Sequence, residues 1–484
     1  MTRLVVGPFN RVEGDLEVQL DVADGRVVSA RVNAPMYRGF ESMLAGRDPH
    51  DALVIVPRIC GICSVSQSVA AARALADAAG VEVPPNGVHV TNLMLACENL
   101  ADHLSHFYLF FMPDFARPVY ADRPWHAEAQ RRFAALAGAH ARAALSARQR
   151  WFEIMGTLGG KWPHTQSIQP GGSARAVEAA ERIRLLAKVR EFRAFLEATT
   201  FAAPLEEVAA LDSEAALARW QARDPLRGDL RFFLAVADDL RLDALGRGPG
   251  LTLSYGAYRR PDGGFELPGG VWDVALNELQ PVDAESIRED ATHAWLAGNA
   301  PLHPREGLTE PWADKPGAYT WNKAPRLGGR VVETGAIARQ LASAQPLLRD
   351  AVARAGASVR TRVLARLVEI ARVLPMMERW LTALSPREPF FHGDRLPDEA
   401  LGVGLTEAAR GALGHWLSVR GGRIERYQIV APTSWNFSPR DAAGVPGALE
   451  AALEGAPVRE GEDTPVAVQH IVRSFDPCMV CTVH

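Results

Sequence analysis

Four cysteines in two CxxC pairs, Cys60/Cys63 and Cys478/Cys481, are the residues of this chain best suited to chemistry. Two intervening residues let the backbone turn, so both sulfurs of a pair can point at one small object. Thiolates are soft ligands that suit zinc, nickel, iron–sulfur clusters or copper(I). Two CxxC pairs taken alone most often mean a structural zinc. Their placement argues against it. A zinc ribbon keeps its pairs about 15–20 residues apart, whereas these lie near opposite ends of a 484-residue chain. A redox dithiol, the other plain reading, needs only one pair. The fifth cysteine, Cys97, lies in the apolar run Leu93–Leu100 and reads as a small buried hydrophobe.

A site joining both chain ends needs a large folded body, and the composition supplies one. The chain is 48% hydrophobic, enough for a sizeable core and too apolar for disorder. Length alone suggests about three domains of roughly 150 residues. The net charge is −4, and its 53 basic and 57 acidic residues are mixed along the chain. No basic stripe marks a nucleic-acid face. Met1 to Gly14 lacks the apolar stretch of a signal peptide, and no run approaches the roughly 18 apolar residues of a membrane span. Five cysteines are too few for a disulfide framework at this length. The expectation is a cytoplasmic protein without direct membrane insertion.

Periodicity predicts the supporting elements. Leu16, Val18, Leu20 and Val22 alternate with polar residues as a strand; Ala23-Asp24-Gly25 turns it, and Val27–Val32 returns as a hairpin. Helical patterns cover Ser66–Ala79, stopping at Gly80, then Thr91–Phe111, Ala174–Ala198 and Thr361–Leu384, with a kink expected at Pro375. Residues 246–330 are rich in Gly and Pro yet hold Trp272, Trp295, Trp312 and Trp321. They read as ordered loops and short strands, with a hairpin near Pro261-Asp262-Gly263-Gly264. The expected fold is mainly α with small β elements (α+β). A central long-helix bundle forms one continuous domain over 1–484, and its N- and C-terminal segments meet at a buried metal site.

The residues flanking the cysteines narrow the chemistry. The pairs sit in Arg58-Ile59-Cys60-Gly61-Ile62-Cys63 and in Asp476-Pro477-Cys478-Met479-Val480-Cys481-Thr482-Val483-His484. These segments resemble the two metal-binding signatures of the large subunit of [NiFe]-hydrogenases. The likeness continues in chain order through Arg11-Val12-Glu13-Gly14, Tyr37-Arg38-Gly39-Phe40-Glu41, His103 to Asp114 and Lys161-Trp162-Pro163-His164. It resumes at Lys323-Ala324-Pro325-Arg326, Glu333 to Arg339, Ala409 to Trp416 and Pro432-Thr433-Ser434-Trp435-Asn436.

The resemblance implies roles residue by residue. Cys60, Cys63, Cys478 and Cys481 would bind nickel. Cys63 and Cys481 would also bridge to an iron carrying one carbonyl and two cyanide ligands. H2 would be split heterolytically, and the proton needs a base. The terminal thiolate of Cys478 is one candidate. Arg410 would place a guanidinium over the open metal position, where an electrostatic role suits a group locked in its protonated form better than a base role does. Glu13 resembles the family's first proton relay, although a lone loop glutamate is usually just solvated. Asp114 and Asp476 resemble acids packed around the metals; Asp476 could equally cap the following turn. Thr433 or Ser434 would donate a hydrogen bond to a cyanide. His484, with Glu41 and the Ile429 carbonyl, would bind a magnesium-like ion that pins the C-terminus, although terminal residues are more often frayed. With one spare cysteine, iron–sulfur clusters must sit on a partner small subunit. Maturation proteins would insert the metals.

Departures from the family pattern point to its regulatory, H2-sensing branch. Gln67 stands where the first signature usually has histidine, and Asp15 follows Gly14 where histidine is usual. Ile62 and Phe110 are bulkier than the residues common at the inner end of the gas channel, which would hinder O2 and pass H2. Gln67 retains hydrogen bonding to a cysteine without a titrating imidazole. The chain is also short for the family. Its end at His484 fits either removal of a C-terminal extension or the sensor type, which lacks one. The leading expectation is a low-turnover H2 sensor that signals through a histidine kinase. An energy-conserving uptake hydrogenase is the alternative. From other classes come a non-catalytic homologue, as in the quinone-reducing subunit of respiratory complex I, which lacks the four cysteines present here, and an interaction protein stabilised by zinc on four cysteines.

Overall fold

A computed structural model describes residues 2–393 and 395–482. The chain opens with an antiparallel sheet of β1 (Thr2–Val6), β2 (Glu17–Ala23) and β3 (Arg26–Asn33), in that order. The alternation has its expected cause: Leu16, Val18, Leu20 and Val22 are all buried. Asp24 and Gly25 form the two-residue turn with φ of 50° and 68°, the positive values a tight hairpin requires.

Four helices follow the predicted patterns with shifted ends. The first, α1 (Ser64–Ala79), stops at Gly80, whose φ of 65° suits glycine. The second, α2 (Pro85–Ser105), starts earlier than expected because Pro85 sits in the first turn, where its missing N–H costs nothing. A π-helical turn, His106–Phe111, completes the predicted stretch. The third, α3 (Ala179–Phe195), begins at a capping box between Glu178 and Glu181, which marks its start better than periodicity does. A short α4 (Ala336–Ala342) precedes α5 (Val359–Ala383), which is continuous through Pro375. Pro375 therefore lies inside the helix and does not end it, and the helix is buried over most of its length.

A second sheet, which sequence periodicity did not reveal, consists of β4 (Ala400–Ala408), β5 (Gly411–Arg420) and β6 (Arg423–Val430), paired antiparallel in order. Nearly all of β5 is buried, so it shows no polar alternation. Helix α1 covers one face of the sheet. A Cβ on Gly402 or Gly404 would lie 2.0 or 1.9 Å from the carbonyl oxygen of Ala74 or Ala70. Glycine in β4 and alanine in α1 thus let helix and strand approach closely.

The region from 246 to 330 contains short strands, as expected. Ala257–Arg259 pairs with Phe265–Leu267 across the predicted hairpin. Trp272 is buried and Trp295 meets Trp321 edge to face, but Trp312 remains 46% exposed. The main hydrophobic cluster runs from Val6 in the first sheet, through α2 and α5, to Cys481. Two further elements, α6 (Pro432–Asn436) and α7 (Val466–Ser474), bring the chain to the second cysteine pair. Among the described residues no helix is long and apolar enough to cross a membrane.

Candidate metal centre

Cys63 immediately precedes α1, and Cys478 follows α7. The N-terminal loop joins them to the first sheet. The Glu13 N–H donates to the Pro477 carbonyl at 3.3 Å, and the Met479 N–H donates to the Glu13 carbonyl at 2.7 Å. Gly14 follows with φ of 78°, and a Cβ there would lie 2.9 Å from the Val480 nitrogen. The Arg-Val-Glu-Gly segment is therefore a backbone clamp on the second pair, and its glycine is sterically required. Arg38 ties the pairs together: its Nη2 donates to the carbonyls of both Ile59 and Val480.

The result is one compact group of four buried sulfurs, all within 4.8 Å of one another, with no disulfide. Cys60 Sγ lies 3.3 Å from Cys478 Sγ, Cys63 Sγ 3.2 Å from Cys481 Sγ, and Cys478 Sγ 3.0 Å from Cys481 Sγ. Metal–thiolate bonds of about 2.3 Å reach all four from a common centre. Burial opposes ionisation of Cys60, yet hydrogen bonds from Cys478, Cys481 and Cys63, with the charge of Arg410, hold it well below the usual thiol range. Hydrogen bonding to Cys478 pushes Cys63 well above that range, and burial does the same to Cys478. A metal takes such sulfurs as thiolates, so its binding would release their protons. The donor set fits a thiolate-held nickel–iron group.

Arg410 lies near this group, between two acids. Its Nε donates to the Asp476 carbonyl at 2.9 Å, its Nη2 lies 3.0 Å from Asp476 Oδ1, and its Nη1 lies 3.1 Å from Asp102 Oδ2. Burial opposes its charge, but Asp102, Asp476, Cys478 and Cys60 raise its pKa well above the ordinary value. A permanent cation is the consequence, in line with the electrostatic role. Burial, with help from Asp476 and Cys60, pushes Asp102 up to about 8 against the pull of Arg410. Asp476 is held in a left-handed backbone conformation, φ 58°, which turns the chain directly into Pro477 and Cys478.

A second buried network holds the backbone that carries Arg410. Arg339 of α4 donates to the carbonyls of Ala408 and Ala409 at 2.8 and 2.9 Å. It pairs with Glu407 and Glu369 on the same guanidinium. Glu369 also meets His103 Nε2 at 3.0 Å, next to Asp102 on α2.

The remaining expected site residues fall as follows. Glu13 is half-buried; burial first, then the charge of Cys60, raises its pKa against Arg410 and Arg38. The Cys478 N–H donates to Thr433 Oγ1 at 3.2 Å, and the neighbouring Ser434 Oγ is buried without a hydrogen-bond partner among the described residues. Gln67 Oε1 lies 2.8 Å from His415 Nε2, while its Nε2 is likewise unpartnered. Asp114 contacts Arg11, Arg117, His470 and Arg473. Burial opposes its ionisation, but the His470 hydrogen bond and the charges of Arg473, His470 and Arg11 hold it below the carboxylate range. Ile62 packs half-buried against the main core. Phe110 is half-buried in the π-turn, its carbonyl accepting from Arg11 at 3.2 Å.

The expected ion site at the C-terminus is described in part, because His484 lies outside the described residues. Glu41 is buried, and its Oε1 accepts from the Ile429 N–H at 2.7 Å. Its Oε2 accepts from Thr309 and from Gln428 Nε2, and lies 3.5 Å from Lys323 Nζ.

Asp102, Arg38, Arg339, His415 and Tyr427 were not singled out from the sequence. Asp102 had a signal: an acid in a helix otherwise apolar on most faces. Arg38 and Arg339 lay inside matching segments, but nothing in those segments told a clamp from a surface arginine.

Comparison with known proteins agrees with this geometry. The family described as nickel-dependent hydrogenase matches residues 38–132 and 120–484. The large subunit of the periplasmic [NiFeSe] hydrogenase of Desulfomicrobium baculatum is 31% identical, over 100% of this chain and 95% of that one. The Hydrogenase-2 large chain of Escherichia coli (strain K12) is 28% identical over 100% and 97%, and the uptake hydrogenase large subunit of Rhodobacter capsulatus 28% over 100% and 95%. The reduced Ni-Fe-Se hydrogenase of D. vulgaris Hildenborough superposes with a TM-score of 0.86 at 30% identity, covering all of both chains. The reading as a zinc-stabilised interaction protein falls with this match, and the chain, an oxidoreductase that binds nickel, belongs to the nickel-dependent hydrogenase family as a large subunit.

Proposed function

We propose that this chain is the H2-cleaving subunit of a regulatory hydrogenase that senses H2 and passes its electrons to an iron–sulfur small subunit. One observation carries the cleavage reading: four buried sulfurs from both chain ends meet within the electrostatic reach of a guanidinium fixed by two acids. Cys60, Cys63, Cys478 and Cys481 would hold the nickel, with Cys63 and Cys481 shared with an iron bearing carbonyl and cyanide. When bound, this group supplies the Lewis acidity that polarises H2 and the redox capacity that takes up its electrons. The chain handles the proton. Cys478 Sγ accepts it first, and Glu13, on the adjoining backbone, receives it next. Arg410 stays charged, orienting the site and excluding water. Thr433 or Ser434 would donate a hydrogen bond to a cyanide, and Asp114, Asp476 and Gln67 would support the residues around the metals.

The same reading makes residues 1–484 one domain and Glu41, the Ile429 carbonyl and His484 a magnesium site. It also makes the chain a cytoplasmic partner of maturation proteins and, through its small subunit, of a histidine kinase. Sensing rests on Gln67, a neutral amide where an imidazole would titrate, and on the bulk of Ile62 and Phe110. The uptake reading has the names of relatives in its favour, Rhodobacter capsulatus among them.

Infrared spectroscopy with metal analysis, before and after H2, tests the central claim. We expect equimolar nickel and iron, with carbonyl and cyanide bands that move under H2. Metal-loaded protein without such bands would refute it. A second measurement separates sensor from uptake enzyme. Changing Ile62 to Val and Phe110 to Leu together should make H2 oxidation sensitive to O2 in a protein that otherwise tolerates air. Unchanged tolerance would remove the channel argument.

A further inference from the structure

Gln67 lies in the first turn of α1, and its N–H donates to the Cys63 carbonyl at 3.1 Å. Behind its side chain runs a short buried chain of polar groups. His415 Nε2 is 2.8 Å from Gln67 Oε1, and His415 Nδ1 is 2.7 Å from the Tyr427 hydroxyl. His415 comes from β5 and Tyr427 from the neighbouring β6. All three side chains are buried, and Gln67 Nε2 has no acceptor among the described residues. A native core rarely leaves an amide donor unsatisfied, so an acceptor outside the protein atoms is implied.

The proton arrangement follows from what each group can do. Gln67 Oε1 is an acceptor only, so His415 Nε2 must carry the proton. His415 Nδ1 is then a bare acceptor, and the Tyr427 hydroxyl donates to it. Burial raises the Tyr427 pKa further, so this donor keeps its proton. Reversing the chain would rotate the amide and put its oxygen where Nε2 now stands. If that position faces the thiolates, one helical turn away at Cys63, a lone pair there is repelled where an N–H is attracted.

We propose that Tyr427 and His415 are positioning residues for the metal centre. Tyr427 sets the His415 tautomer, His415 sets the Gln67 amide, and the Gln67 N–H donates to the centre, at a thiolate or a diatomic ligand. The proposal rests on the nickel–iron reading above. Its consequence is electronic. An N–H bonded to a thiolate withdraws density from the metals, which weakens back-donation and raises the carbonyl stretching frequency.

The test is infrared spectroscopy of metal-loaded protein, normalised to nickel content. Gln67→Leu should move the carbonyl band to lower wavenumber. Tyr427→Phe should move it the same way by less, and the double variant no further than Gln67→Leu alone. His415→Leu should shift the band, whereas His415→Gln, which keeps a donor for Oε1, should restore it toward the wild-type position. These two variants also cover failure of Tyr427→Phe to assemble the centre. Bands unmoved in Gln67→Leu would show that the amide does not reach the centre. Bands moved in Gln67→Leu but not in the Tyr427 and His415 variants would show that the chain behind it does nothing. Loss of the bands from wild-type protein would refute the nickel–iron reading instead.

Discussion

Replacing Arg410 by alanine lowers H2 oxidation by about 10²–10³-fold, the loss typical of removing one preorganised charge from a water-excluded site. The guanidinium does three jobs here: it faces Asp102, it faces Asp476, and it pins the Asp476 carbonyl. Alanine leaves two buried acids, Asp476 and Asp102, without their shared cation. Breaking such a pair costs about 3–5 kcal/mol of stability, so the melting temperature should fall as well. Arg410→Lys separates the two effects. It keeps a positive charge in the core but cannot make three directed contacts at once. We expect near-native stability, intact carbonyl and cyanide bands, and turnover between those of wild type and alanine variant. Dye reduction per bound nickel gives the rate. A lysine variant as fast as wild type would mean that only charge matters, and an alanine variant as fast would end the electrostatic role.

Changing Glu13 to glutamine should cut H2 oxidation and H2/D2O exchange by about 10²–10⁴-fold, the range for loss of a positioned proton-transfer group. Metal content and infrared bands should be unaffected. The reason lies in the backbone: Glu13 clamps the second cysteine pair through its own N–H and carbonyl, and both survive the substitution. Its raised pKa, set by burial and by Cys60, brings the carboxyl closer to working pH, as a relay requires. Glu13→Asp should retain part of the rate. If glutamine exchanged isotopes as fast as glutamate, the proton would leave by another route.

The two substitutions also show why one kind of residue was legible and another was not. Glu13 and Arg410 stand in short segments whose resemblance to a family implied their roles. Asp102, which shares Arg410 with Asp476, sits in a helix where burial was expected, and an acid there was the only hint. Its significance depends on β4 and β5 carrying Arg410 over α2. That sheet is not legible in the sequence, because residues 411–420 are buried on both faces and so lack a period of two. Gln67 is legible in the sequence as a departure from the family pattern. Its partners His415 and Tyr427 lie on two strands whose pairing no local pattern reveals.

The ligand chemistry was written in residue types and spacing: four soft donors at the two ends of the chain, flanked by glycine, proline and charged residues. So were the hairpin at Asp24-Gly25 and the cores of the long helices, because alternation, helical period and turn residues act locally. Long-range packing settled the rest. It brought the sulfurs of Cys60 and Cys478, 418 residues apart, to 3.3 Å, through a backbone clamp at Glu13 and an arginine bridge at Arg38. It made Gly402 and Gly404 necessary by pressing α1 onto the sheet. It gave Arg410 its two acids and Gln67 its histidine. Distances of that kind depend on which surfaces bury each other, and a one-dimensional pattern does not hold them.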